Sequence, residues 1–271
     1  MSTHDPKIIE PVEFIKVIGI VGGLGPHAHI EFERRLLSAA AQRLGRPPTD
    51  QDYPQWVVSS IPGTPDRTLA LLGQAPSPVP HLVRSVERLA AAGADFAVIA
   101  CNTAHAFLHE VRPRSPIPIL DMIEATVARI VATTETPTTV GLLATTGTCR
   151  ARVYHDRIEH APGLRLLTPL DLPDGEDLQR RLVMTPIYGP IEGGRHVGGG
   201  IKAGICTPAI QAALGEAVER LAEAGARLVI CGCTEIPLGL GRDEWAGTPL
   251  LDPMEVAAQR AVALATGADA D

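Results

Sequence analysis

Short apolar runs alternate along the chain with longer stretches in which apolar residues recur every three or four positions. The runs VIGIV (17–21), Trp56–Ser60, Phe96–Ala100 and Ile117–Leu120 predict buried strands. Between them a helical pattern opens at Pro26 and continues to about Leu44. Others cover Pro78–Ala92, with Leu82, Val86 and Leu89 on one stripe, a segment starting near Thr103, and Ile123–Thr133. Asp66 is the expected N-cap of a short helix before the second of these. After a junction at 137–139 the pattern restarts. Strands are expected at Val140–Ala144, Arg165–Leu167 and Arg227–Cys231. Helices are expected over Cys149–Glu159, Gly175–Val183, Cys206–Ala224 and Pro253–Thr266. Residues 189–200, GPIEGGRHVGGG, hold six glycines and read as a mobile loop. Strands alternating with helices predict an α/β chain built on parallel sheets.

Two windows repeat. RLAAAGADFAVIACNTAH (88–105) aligns without a gap on RLAEAGARLVICGCTE (220–235), matching Gly93 to Gly225 and Cys101 to Cys233. Each reads as helix, glycine stop, buried strand, cysteine. VIGIVGGLGP (17–26) and VGLLATTGT (140–148) also rhyme, both as strand followed by a Gly/Thr loop. An internal duplication is the simplest account: two pseudosymmetric lobes, about 15–120 and 121–240, each a parallel sheet flanked by helices. Ligands of open parallel sheets bind outside the carboxyl ends of the strands. Both cysteines stand at such ends, so the active site is expected in the cleft between the lobes. Two thiols facing one cleft suit inversion of a carbon centre: one removes a proton, the other returns one to the opposite face. Each cysteine also precedes an expected helix N-terminus, whose positive potential should lower a thiol pKa. Cys149, Cys206 and Cys231 read as packing residues.

Composition narrows the picture. At 271 residues and 45% hydrophobic content the chain can form one large or two modest domains. A net charge of -7 argues against nucleic acid and anionic membrane as partners. It leaves open an anionic small molecule, which responds to local charge. The opening stretch MSTHDPKIIEPVEFIK lacks the apolar core of a signal peptide, and no window approaches ~18 apolar residues. Five cysteines in such a chain are expected as free thiols in the reducing cytoplasm. Their spacing fits neither a C-x-x-C redox motif nor a zinc finger, and GGLGP (22–26) lacks the spacing of a dinucleotide-binding loop.

The motifs GIVGGLGP (19–26), DQDYP (50–54), PDRT (65–68), ACNTAH (100–105), GLLATTGT (141–148), IKAG (201–204), GCTEIPL (232–238) and DP (252–253) span almost the whole chain. In this order they resemble the cofactor-independent aspartate/glutamate racemase family, and within it the aspartate racemase branch. The resemblance implies two α/β lobes, no pyridoxal phosphate, no metal, and commonly a homodimer. It implies that Cys101 and Cys233 are the two catalytic bases. Arg67 of PDRT and Lys202 of IKAG would hold substrate carboxylates, while Asn102, Thr103, Thr145, Thr146 and Thr234 would line the cleft. The last helix would pack back on the first lobe, giving 1–120 plus 241–271 as one lobe and 121–240 as the other. Two places depart from the family pattern. Ser60 stands near a usual asparagine, and the loop before IKAG is longer, carrying Arg195 and His196.

Other readings compete. A dicarboxylate decarboxylase of the same fold keeps only the second-lobe cysteine, so Cys101 argues against it. A maleate isomerase also uses two cysteines. A Cys–His amidohydrolase would pair Cys101 with His105, leaving Cys233 unexplained. A non-catalytic amino-acid-binding protein would look alike in sequence. His105 reads equally as a partner of Cys101 or as a core residue. Glu235 reads as tuning Cys233 or as favouring a helix start, and Asp66 as orienting Arg67 or as a cap.

Overall fold

The computed structural model of the chain describes residues 13–193 and 195–267. Residues 1–12, most of the stretch read for a signal peptide, lie outside the described residues.

The apolar runs form two sheets. In the first, β1 (Ile18–Gly22), β2 (Trp56–Ser60), β3 (Phe96–Ile99) and β4 (Ile119–Leu120) lie in the order β2-β1-β3-β4, parallel throughout. The second contains β5 (Thr138–Leu143) and β6 (Leu164–Leu167). A separate hairpin comes next, β7 (Ile191–Glu192) and β8 (Arg195–His196). Then come β9 (Leu228–Cys231), β10 (Glu244–Trp245) and β11 (Thr248–Leu251), completing the order β10-β11-β9-β5-β6. Only β10–β11 is antiparallel in that sheet.

The duplication is visible in the pairing. Ile18 faces Phe96 across β1–β3, and Val140 faces Leu228 across β5–β9. Just past those strands the same backbone bond recurs: Ala100 N–H reaches the Val21 carbonyl at 3.2 Å, and Gly232 N–H reaches the Leu143 carbonyl at 2.7 Å. Each bond fixes the residue before a site cysteine.

Helices cover both faces of each sheet. Those of the first half are α1 (Pro26–Leu44), α2 (Arg67–Leu71), α3 (Val79–Ala91), α4 (Leu108–Val111) and α5 (Met122–Thr133). Pro26 at the first turn starts α1, and Gly45 at φ 64° ends it. The Asp121 carboxylate starts α5, accepting from the Ile123 and Glu124 amides at 3.0 and 3.1 Å. The second half adds α6 (Thr146–Arg150), α7 (His155–Glu159), α8 (Gly175–Leu178), α9 (Thr185–Tyr188), α10 (Pro208–Glu223), α11 (Ile236–Leu240) and α12 (Pro253–Ala265).

Alternation along β1 sends Ile18 and Ile20 into a core with Phe32 and Leu36 of α1, while Val21 packs with Leu82 and Val86 of α3. Burying each such side chain contributes about 1.5–3 kcal/mol. The lobes meet closely where α6 crosses α2: a Cβ on Gly147 would lie 2.7 Å from the Thr68 Cα. Among the described residues no helix is long and apolar enough to cross a membrane.

Three expectations are corrected. The single helix expected over 149–159 is two helices, α6 and α7, because Arg152 takes φ 54° between them. Within the glycine loop 189–200, residues 191–192 and 195–196 pair as the β7–β8 hairpin. The return to the first lobe falls later than residue 241. Leu250 and Leu251 pair with Val229 and Ile230, so β11 extends the second sheet, and α12 alone packs on α1.

The crossing point, Asp252, is a buried N-cap. Its Oδ1 accepts from the Met254 amide at 2.9 Å and its Oδ2 lies 2.8 Å from Arg35 Nε of α1. Burial, only partly offset by Arg35, pushes its pKa from 3.8 up to about 6. The folded protein therefore binds this proton at a pH where the unfolded chain has released it. Stability from this group falls as pH rises from about 4 to about 6, and the loss is complete above that. Asp252→Asn keeps a competent cap and removes the titration. Its stability relative to wild type should improve by up to about 3 kcal/mol between pH 4 and pH 7, read from denaturant unfolding. A stability gap independent of pH would refute this.

Candidate active site

Each site cysteine lies two residues beyond the end of an equivalent strand, Cys101 after β3 and Cys233 after β9. Both are nearly sealed, at 6% and 5% exposure. Both line one narrow cavity between the lobes.

The first lobe brings Arg67, Asn102 and Thr103 to this cavity, and the second brings Thr145, Lys202 and Thr234. Of the residues expected there, Thr146 is not in the lining. It begins α6, with its hydroxyl 3.4 Å from the Gln179 amide and its backbone N–H on Met184 sulfur at 3.3 Å. Thr145, the N-cap of the same helix and also expected there, does face the cleft. Three further lining residues, Thr68, Tyr188 and Glu235, had no binding role from sequence.

Threonine hydroxyls form the floor where the lobes meet. Thr68 donates to Thr145 at 2.9 Å, and Thr103 and Thr148 lie 2.8 Å apart. Asn102 is 1% exposed. Its Oδ1 accepts from the Tyr154 hydroxyl, while its Nδ2 has no partner. A buried, unpartnered amide donor lining a cavity is costly unless a ligand accepts from it.

The two thiols stand in opposite electrostatic surroundings. Arg67, 6% exposed, faces Cys101. Burial works against the Arg67 charge, but Cys101 and Asp66 outweigh it and its pKa is raised. Its Nη1 donates to the Pro65 carbonyl at 3.2 Å and its Nη2 to the Leu24 carbonyl, leaving Nε without a partner. Cys233 instead donates from Sγ to Glu235 Oε2 at 2.9 Å. Thr234 donates to the same oxygen at 3.0 Å, and Lys202 Nζ lies 3.2 Å from Oε1.

Burial and then the Glu235 charge push the Cys233 thiol well up. The expected lowering at a helix N-terminus is therefore overturned for this cysteine. Its helix, α11, begins only at Ile236 and spans five residues, and a carboxylate stands much nearer. Glu235 itself stays below the ordinary carboxyl value. Burial raises it, and Lys202 with the Cys233 and Thr234 hydrogen bonds outweighs that.

His105 is not a base for Cys101. Its Nδ1 lies 2.9 Å from the Cys101 carbonyl and its Nε2 accepts from the Met122 amide at 3.3 Å. One ring nitrogen must donate and the other accept, so the ring is neutral and both nitrogens are engaged. Burial also lowers its pKa. A Cys–His pair is thus absent, while Asp66 combines both readings offered for it: it caps α2 and it supports the Arg67 charge.

Among the described residues no group of three His, Cys, Asp or Glu side chains is placed to hold a metal ion. One compositional signal also marks this site. Lysine occurs only at 7, 16 and 202 in a chain otherwise rich in arginine, so Lys202 is the one lysine after residue 16.

The Asp/Glu/Hydantoin racemase family model matches residues 21–261. Glutamate racemase of Deinococcus radiodurans is 31% identical over 162 residues, 58% of this chain and 48% of that protein. The broad specificity amino-acid racemase RacX of Bacillus subtilis is 29% identical over 120 residues, 42% of this chain and 49% of that one. The matches thus span about half the length of these curated relatives. Among solved structures, the aspartate racemase of Picrophilus torridus superposes with TM-score 0.71 at 24% identity, covering 93% of this chain and 94% of that one. That likeness establishes the two-lobed fold.

Proposed function

The chain belongs to the Asp/Glu/Hydantoin racemase family, and on that premise we propose that it inverts the α-carbon of an amino acid, most favourably aspartate, with no cofactor. The observation that carries this reading is the pair of cysteines at equivalent strand ends, lining one closed cavity together with two cations. Arg67 and Lys202 supply one cation from each lobe, which matches the two carboxylates of aspartate. The free Nδ2 of Asn102 adds a donor for one of them.

Cys233 donates to Glu235, whose charge favours its thiol. This supports a reading in which Cys233 is the proton donor and Cys101, deprotonated for the step, takes the α-proton. The electron pair left on Cα spreads into the carboxylate, where the cations offset the growing charge. Cys233 gives its proton to the opposite face. The product is the other enantiomer, with Cys101 now a thiol and Cys233 a thiolate. Glu235 beside that thiolate makes this form the less stable, so proton exchange with solvent restores the first.

The test is incubation with L-aspartate, and separately L-glutamate, in D2O without added cofactor. Proton NMR follows α-deuteration and chiral chromatography follows the enantiomers. The expected result is exchange with loss of optical purity, faster for aspartate. Folded protein that exchanges neither amino acid would overturn the reading.

A further inference from the structure

Tyr188 lines the cavity, and no motif points to it. It ends a continuous helix, Gly175–Tyr188, whose middle six residues, Gln179–Met184, are π-helical. Such segments shift the side-chain register of the next turn and are frequent at functional sites. The helix is anchored at Gln179, 1% exposed, whose amide donates to the Ala144 carbonyl at 2.8 Å.

From that base Tyr188 makes three contacts of different kinds. Its ring lies under Lys202, with Nζ 5.2 Å from the centroid. Its hydroxyl crosses to the first lobe and donates to Asp66 Oδ2 at 3.1 Å. The other Asp66 oxygen accepts from the Leu69 amide at 2.9 Å, capping the helix whose first residue is Arg67. On its outer side Tyr188 stacks on His196 of the hairpin, centroids 5.2 Å apart. His196 is held in turn by a 2.7 Å contact from Nδ1 to the Gly189 carbonyl. Burial raises the phenol pKa, so the hydroxyl remains a donor.

We propose that Tyr188 is a positioning residue that fixes the spacing of the two cationic anchors, holding Lys202 on its ring and the Arg67 helix through Asp66. This rests on the reading that both cations bind substrate carboxylates. Without the ring, Lys202 keeps only its pairing with Glu235, which draws it toward Cys233. Without the hydroxyl, Asp66 loses its one bond from the second lobe.

The scarcity of lysine permits a readout that needs no substrate. Acetylation by an N-hydroxysuccinimide ester can be followed at Lys202 by peptide mass spectrometry, with Lys16 as internal reference. Tyr188→Leu should speed Lys202 labelling by about tenfold, and Tyr188→Phe, which keeps the ring, by less than about twofold. With aspartate, KM should rise roughly fivefold in Tyr188→Phe and roughly thirtyfold in Tyr188→Leu, with kcat within about threefold of wild type. A purely structural role would lower kcat and leave Lys202 labelling alone.

Wild-type labelling and KM in Tyr188→Leu would overturn the proposal. If that variant does not fold, an unchanged KM in Tyr188→Phe overturns it alone. If wild type leaves aspartate unchanged while Tyr188→Leu exposes Lys202, the substrate reading fails and the positioning role stands.

Discussion

Cys101→Ser and Cys233→Ser should each reduce interconversion of the enantiomers by at least about 10³-fold, because a serine hydroxyl is a far weaker acid and cannot stand in as thiolate or as proton donor. The losses should differ in kind. With Cys233 replaced, Cys101 still reaches one face of the substrate. Deuterium should then enter one enantiomer slowly from D2O without inversion. With Cys101 replaced, only the other enantiomer should exchange. Both variants should retain the wild-type melting temperature, since each change is nearly isosteric. Chiral chromatography and NMR separate the two signatures. Full interconversion by either variant would end the two-base reading.

Arg67→Ala is expected to lower kcat/KM by about 10² to 10³, as a buried guanidinium facing both the cavity and the Cys101 sulfur is removed. Arg67→Lys should recover little, because an ammonium cannot reproduce the planar fork that holds the Pro65 and Leu24 carbonyls while leaving Nε for a ligand. An unchanged rate in Arg67→Ala would remove it from substrate binding.

The parts of this site legible in sequence are those set by strand periodicity. A strand, one small residue and a cysteine, written twice, place both thiols at sheet ends. The apolar runs leave little freedom in where those ends fall. The N-cap at Asp66 is local in the same way. What stayed hidden depends on the direction a side chain takes after the backbone is placed. Tyr188 reaches Asp66 across 122 positions, and it does so from the helical turn after a π-helical segment that no period of 3.6 or 2 reveals. The acidity of Cys233 departs from expectation for a related reason. The sequence puts Glu235 two residues away, and only the fold turns its carboxylate back onto the sulfur. His105 is the converse case: four residues from Cys101, it turns to backbone partners instead of the thiol.

The last helix has a consequence for how the protein is made. Met254, Ala257, Ala258, Ala261 and Val262 of α12 belong to the same buried cluster as Ile18, Phe32 and Leu36. One face of the first sheet therefore stays open until the far end of the chain has been synthesised. The second sheet closes its own core, around Leu143, Leu221 and Val229, from residues that precede α12. During synthesis the later lobe can complete its packing before the earlier one. The first lobe then gains its missing layer as the chain crosses back at Asp252, so a nascent chain stopped short of α12 would present an uncovered apolar face to chaperones and aggregation.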